Sequence, residues 1–114
     1  MRKESYNLRK LFLRNRAKII LEREKKFENF VKTLKKLIEG KATIYLIGSR
    51  ARGDAQPYSD YDLIIFHKNN EKEIVEVISK IRPKGLPIDI IYLPEKAIND
   101  KIVQKMLKDA KKIV

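Results

Sequence analysis

Two stretches of this sequence decide its fold: Ile47-Gly48-Ser49-Arg50-Ala51-Arg52-Gly53-Asp54 and Ser59-Asp60-Tyr61-Asp62-Leu63-Ile64. The first stretch ends the apolar, β-branched run 42–47, which predicts a strand followed by a tight glycine turn. One or two helical turns are predicted over 50–54. The second stretch begins another strand, predicted over 60–66, so both stretches lie where the chain enters or leaves a small sheet.

Helical and extended patterns alternate on either side of this centre. Apolar residues recur at spacings of three and four over 71–81, which predicts an amphipathic helix. A third strand is predicted over 88–93, and a final helix over 95–114. Before the first strand, helical periodicity runs from about residue 5 to 39 and predicts one long helix or two shorter ones, ended by Gly40.

This order of elements predicts an α+β (mixed α/β) domain with a small, mainly three-stranded sheet backed by helices. With 114 residues, the chain has the size of one domain. We divide that single domain, 1–114, into a basic N-terminal helical extension (1–40), a sheet region (42–93) and a C-terminal helix (95–114).

Composition excludes several kinds of site. The chain has no cysteine and one histidine, so disulfides and the usual Cys/His zinc sites are excluded. The histidine, His67, follows the second predicted strand and is expected at the surface. No apolar run approaches the about 20 residues that span a bilayer, and the start MRKES lacks the apolar stretch of a secretory signal. We therefore expect a cytoplasmic protein without a membrane interaction.

Positive charge is concentrated at the N-terminus. The formal net charge is +12, and ten lysines or arginines lie in residues 1–26 beside three glutamates. This stretch is typical of a solvated helix face, and it is also compatible with a contact to nucleic acid or to an acidic partner.

Gly48 and Ser49 are candidate phosphate-binding residues. A glycine at the end of a strand lets the backbone approach a ligand closely, and a serine there can donate from both its hydroxyl and its N–H. If a helix begins at this turn, its free N–H groups and dipole favour an anion. Arg52 can add a cationic contact to the same phosphates.

Asp60 and Asp62 are candidate metal ligands. Strand alternation places both side chains on one face, with Tyr61 on the other. Two carboxylates so close repel each other unless a cation lies between them. Because oxygen ligands select hard cations, that cation should be Mg²⁺, with Mn²⁺ as a substitute.

Asp89 is the third candidate acid, since it interrupts an otherwise apolar strand. A buried, unpaired carboxylate costs several kcal/mol, as an order of magnitude, and should therefore have a partner. The simplest partner is the same metal site, provided that the third strand neighbours the second. Three carboxylates, two metal ions and a phosphate-binding turn suit phosphoryl or nucleotidyl transfer.

The string G-S-x-A-R-G, followed by S-D-x-D at 59–62, resembles the signature of the minimal nucleotidyltransferase (MNT) branch of the DNA polymerase beta-like nucleotidyltransferase superfamily. The resemblance extends from about Thr43 to Leu93 and does not account for the basic extension. It implies that Gly48 and Ser49 hold the phosphates of a nucleoside triphosphate, commonly ATP. It also implies that Asp60 and Asp62 bind the metal ions.

The same resemblance implies that Asp89 helps to deprotonate an acceptor hydroxyl, to which a nucleoside monophosphate is transferred with release of pyrophosphate. Many MNT proteins are antitoxins that add AMP to a HEPN-domain toxin, so a HEPN-type protein partner is expected by analogy. Two alternatives remain: a catalytically silent binding module and an RNA-directed protein, each acting through the basic N-terminal helix. The long first helix is also a candidate for self-association.

Overall fold

In a computed structural model, the backbone is described for residues 2–114 and the side chains for residues 8–114. In chain order the elements are α1 (Arg2–Ile38), β1 (Ala42–Ile47), α2 (Gly48–Arg52), β2 (Tyr61–His67), α3 (Glu71–Ile81), β3 (Ile88–Pro94), a 3₁₀-helix (Glu95–Asn99), α4 (Lys101–Met106) and β4 (Lys111–Lys112). The predicted α+β class is confirmed.

The strands form one mixed sheet in the order β3-β2-β1-β4. β1 pairs antiparallel with β2, in a register that aligns Ile47 with Asp62. β2 and β3 are parallel, and α3 makes the crossover that a parallel pair requires. The third strand therefore neighbours the second, as the interpretation of Asp89 required.

The two faces of the sheet are covered differently. α1 and α3 pack on one face, where the largest buried residues include Leu34, Ile44, Leu63 and Ile74. On the other face, Val103 of α4 and residues around the 3₁₀-helix cover Ile64, Phe66 and Leu93. Asp62 lies two residues before Ile64 and Asp89 four residues before Leu93, so strand alternation places both acids on this second face, at the end of the sheet that stays open to solvent.

The first helix is continuous. α1 runs from Arg2 to Ile38, and Gly40 follows it at φ 83°, the left-handed conformation in which glycine commonly ends a helix. Although α1 is long, none of the described helices, including this one, is apolar enough to cross a membrane.

The prediction of one C-terminal helix over 95–114 is wrong. The Asp100 carboxylate accepts hydrogen bonds from the N–H groups of Ile102 (2.8 Å) and Val103 (3.3 Å), so a new helix begins there. That helix ends at Met106, and the tail turns back as β4 along the open edge of β1. The sheet therefore has four strands, because the tail provides hydrogen bonds for an edge that would otherwise lack them.

His67 is buried, with only 8% of its surface exposed, so its predicted surface position is also wrong. β2 begins and ends one residue later than predicted and so includes His67, which is aligned with Ala42 on one side and Pro94 on the other. Strand alternation places the imidazole on the same face as Leu63 and Ile65, the face on which α1 and α3 pack. Its Nε2 lies 3.8 Å from the Glu71 carboxylate.

Candidate active site

The glycine turn and the D-x-D carboxylates meet directly. A Cβ added to Gly48 would lie 2.8 Å from the Oδ2 atom of Asp62, closer than Cβ atoms come to other atoms in proteins. Gly48 also has a φ of 73°, which disfavours any side chain. Two independent constraints therefore require glycine here, and one of them is the position of the Asp62 carboxylate.

Sheet register brings Asp89 beside Asp62. The two residues are direct partners in the parallel β2–β3 pair, so their side chains leave the sheet on the same face. Asp60 precedes β2 and is exposed, as is Asp89, whereas Asp62 is half-buried. Tyr61 lies on the opposite face, where its ring stacks on Phe27 with centroids 4.2 Å apart.

The electrostatic effect of this cluster falls on Asp62. Burial raises the pKa of the Asp62 carboxyl above its ordinary value, and the negative charges of Asp89 and Asp60 raise that pKa further. No ion pair to these three acids occurs among residues 8–114. The cluster therefore carries negative charge that no ion pair of the described residues balances.

A hard divalent cation fits this donor set, because oxygen ligands of like charge are stabilised when a cation binds between them. Within the described part of the chain, however, no three acidic or histidine side chains are arranged closely enough to hold a metal by themselves. Mg²⁺ commonly binds one or two carboxylates and takes its other ligands from water and substrate phosphates. The arrangement suits a cation that binds together with a phosphorylated substrate.

Ser49 lies in the first turn of the five-residue helix α2. Its carbonyl accepts hydrogen bonds from the N–H groups of Gly53 (3.0 Å) and Asp54 (3.1 Å), while its hydroxyl has no partner among residues 8–114. The first N–H groups of a helix have no carbonyl partner within it. The turn therefore has free hydrogen-bond donors beside Asp62.

The two arginines of α2 have different surroundings. Arg52 is exposed, and its Nε lies 3.3 Å from the Oδ2 of Asp54. Arg50 is half-buried: its Nη2 donates to the carbonyls of Pro57 (3.3 Å) and Ser59 (2.9 Å), and its guanidinium lies 4.3 Å from the Tyr61 ring centroid. Arg50 thus fastens the loop that leads to Asp60, while Arg52 remains accessible to a ligand.

The sequence alone does not indicate this positioning role of Arg50. Helical spacing separates Arg50 from Arg52 by about 200°, which indicates only that they point in different directions. Which arginine faces the loop depends on how α2 packs on β1 and β2.

Comparison with known proteins identifies the family to which this chain belongs. Residues 24–113 match the model of the nucleotidyltransferase domain family. No curated protein sequence matches the chain. Among solved structures, it is similar to a candidate nucleotidyltransferase from Sulfolobus solfataricus, with 22% identity and a TM-score of 0.48 over 79% of this chain and 84% of the other. Because the family model covers most of its length, the chain belongs to the nucleotidyltransferase domain family and is a minimal nucleotidyltransferase.

Proposed function

We propose that this nucleotidyltransferase moves AMP from ATP to an acceptor hydroxyl and releases pyrophosphate. The observation that carries the proposal is the contact between the turn and the carboxylate: the Gly48 Cα is so close to Asp62 that no Cβ fits between them. A phosphate held by the turn would therefore lie beside the residues suited to a metal ion. Nucleotidyl transfer needs both functions at one place.

Each residue has a role in this proposal. Gly48 and Ser49 hold the triphosphate through free N–H groups and the Ser49 hydroxyl, and Arg52 adds positive charge after release from Asp54. Asp60, Asp62 and Asp89 would hold Mg²⁺ together with the triphosphate, as two ions, for which Mn²⁺ could substitute. When bound, the metal would neutralise charge on the phosphates and make the attacking hydroxyl more acidic.

Asp89 is the residue best placed to accept the proton of the acceptor hydroxyl. It is exposed and adjoins Asp62 on the open end of the sheet. Because this end is open, a hydroxyl on a second macromolecule can reach it. We propose a HEPN-domain protein as the acceptor, with this chain as its antitoxin, in the cytoplasm.

The test is transfer of label from ATP labelled at the α-phosphate, in the presence of Mg²⁺. Candidate acceptors are a HEPN-domain protein, RNA and a small-molecule alcohol. The Asp60→Asn variant removes one charge from an exposed position and should lower transfer by about 100-fold or more. Asp109→Asn removes another exposed acid, outside the site, and should leave transfer unchanged.

Three results would contradict parts of the proposal. Transfer that survives Asp60→Asn would overturn the metal-site assignment. Calorimetry without any ATP or Mg²⁺ binding would identify a silent binding module instead. Labelling of RNA in preference to the protein acceptor would overturn the antitoxin role and support an RNA-directed enzyme.

A further inference from the structure

An exposed apolar face lies on the N-terminal half of α1, far along the chain from the carboxylates. Leu8, Leu11 and Phe12 are 67%, 52% and 62% exposed. Their spacing of three and four residues places them on one side of the helix, and Ile19, seven residues after Phe12, continues that side. Single exposed leucines are ordinary, but a contiguous apolar patch marks an interaction site.

A preformed recess borders this face. A cavity of about 330 Å³ separates α1 from the loop before β2, and its walls include Phe12, Ile19, Pro57 and Tyr58. Two contacts hold the loop against the helix. Arg16 donates to the side-chain oxygen of Gln56 (3.3 Å), and the guanidinium of Arg23 lies 5.1 Å from the Tyr58 ring centroid. A recess that exists before binding lowers the entropy lost when it is filled.

The charge around this face is strongly positive. Residues 8–26 contain eight basic residues and two acidic ones. On a helical projection, Arg14 and Lys18 flank one side of the apolar face and Arg9 and Arg16 flank the other. A second copy of the chain would bring like charges together, whereas an acidic partner would be attracted.

We infer that this docking face, formed by Leu8, Leu11, Phe12 and Ile19 with Pro57 and Tyr58, binds an acidic amphipathic helix of a partner protein. An apolar side chain of that helix would enter the recess, and its acidic residues would meet the flanking arginines and lysines. Helices bind grooves in this way through apolar anchors at helical spacing.

The shape of the surface favours a protein over other polyanions. A bilayer is too flat to fill a recess between a helix and a loop, and nucleic acid binds chiefly through phosphates, which gain nothing from leucine. The inference is independent of the proposed transfer reaction, because none of these residues belongs to the carboxylate site.

The binding probe is a labelled 18-residue peptide with leucine at the a and d positions and glutamate at e and g of a helical heptad. Its control has the same composition in scrambled order. Fluorescence anisotropy with the full-length protein, without ATP or Mg²⁺, should show binding of the amphipathic peptide at least about tenfold tighter than of the control. Added salt should weaken it.

The matched variants are Phe12→Ala and Leu21→Ala. Both remove an exposed apolar side chain from α1 (62% and 66% exposed), but Leu21 lies on the opposite side of the helix. Phe12→Ala should weaken peptide binding about tenfold, since anchor residues carry most of the binding energy. Leu21→Ala should bind the peptide as the unaltered protein does, and circular dichroism should show both variants folded.

Four results would overturn the inference. The first is equal binding of the ordered and scrambled peptides, and the second is an equal effect of the two variants. The third is tighter binding to phosphatidylserine vesicles or to single-stranded RNA than to the peptide. The fourth is sedimentation that shows a dimer lost in Phe12→Ala, which would assign the face to a second copy of the chain.

Discussion

At the scale of single residues, the backbone of Gly48 lies so close to the Asp62 carboxylate that it leaves no room for a side chain. Replacing Gly48 with alanine places a methyl group 2.8 Å from the carboxylate oxygen, so Asp62 has to move. Displacement of a catalytic group by about 1 Å can cost 100-fold in rate. We expect Gly48→Ala to lower nucleotidyl transfer by about that factor, measured with labelled ATP.

Gly40→Ala is the matched control. Gly40 also has a positive φ, 83°, but a Cβ there would meet no atom within 4 Å. The variant should therefore lose about 1 kcal/mol of stability from backbone strain and keep its activity. Equal activity losses in Gly48→Ala and Gly40→Ala would contradict the steric explanation.

The raised pKa of Asp62 predicts a pH-dependent penalty on folding. Burial and the neighbouring charges of Asp89 and Asp60 raise this pKa above its value in the unfolded chain. The ionised form is therefore less stable in the folded state. The penalty is absent below the unfolded pKa, grows as pH rises towards the folded pKa, and is complete above it.

In metal-free buffer, Asp62→Asn should accordingly raise the thermal unfolding midpoint at pH 7, and this gain should shrink as pH falls through the carboxylate range. Mg²⁺ should raise the midpoint of the unaltered protein more than that of the variant. A lower midpoint for Asp62→Asn at pH 7 without metal would show that the carboxylate stabilises the fold.

At the scale of elements, the two arginines of α2, Arg50 and Arg52, have different roles. Arg50 donates to two loop carbonyls, so Arg50→Met should cost about 1–3 kcal/mol of unfolding free energy. Among residues 8–114, Arg52 makes only an exposed ion pair with Asp54, so Arg52→Met should cost less than about 1 kcal/mol. Urea unfolding measures both, and equal losses would refute the distinction.

Nucleotide affinity should show the reverse order. Because Arg52 is the proposed phosphate contact, Arg52→Met should weaken ATP binding in calorimetry. Arg50→Met should act on transfer mainly by loosening the loop that carries Asp60, with a smaller effect on ATP affinity.

The C-terminal tail is stabilised by β1. The N–H groups of Ile113 (2.9 Å) and Val114 (3.3 Å) donate to the Ile44 carbonyl, and both side chains pack on the main core. Ile113→Ala should therefore cost about 1–2 kcal/mol in urea unfolding. Ile102→Ala, at a position 70% exposed, should change stability by less than about 0.5 kcal/mol. Similar effects of the two variants would mean that the tail does not dock.

At the scale of the whole molecule, α1 makes the shape elongated. The principal extents are 63 × 31 × 16 Å, and a 37-residue helix is itself about 55 Å long. Its C-terminal half is buried through Phe30, Leu34 and Ile38, whereas residues 8–18 are exposed along their whole length. The free energy of local unfolding should therefore be much lower in the N-terminal half of α1 than in its C-terminal half.

Hydrogen exchange measures that difference. Amides of residues 30–38 should be protected to nearly the global unfolding free energy, while those of residues 8–15 should exchange by local fraying, about 100-fold faster or more. Uniform protection along α1 would show that its N-terminal half is packed in solution. Added acidic peptide should slow exchange over 8–15 if the docking face binds it.

Local sequence patterns were sufficient to predict most of the helices and strands. The bounds predicted for β1 (42–47) and α3 (71–81) agree with the structure, because their periodicity is strong and glycine or asparagine turns limit them. Asp62 and Asp89 lie on the strands predicted for them, whereas Asp60, predicted as the first residue of the second strand, precedes β2. The C-terminal tail could not be predicted in this way, since its helical spacing is overridden by the unpaired edge of β1.

The sequence by itself determined the α+β class, the glycine turn, and the presence of acids at 60, 62 and 89, because these depend on local periodicity and residue chemistry. Only the tertiary structure decided that Gly48 contacts Asp62, that Asp89 adjoins Asp62, and that Arg50 holds the loop. These depend on strand order and register, which arise from long-range packing. The sequence pattern therefore identified the glycine turn and the acids, and the packing of the sheet placed them next to one another.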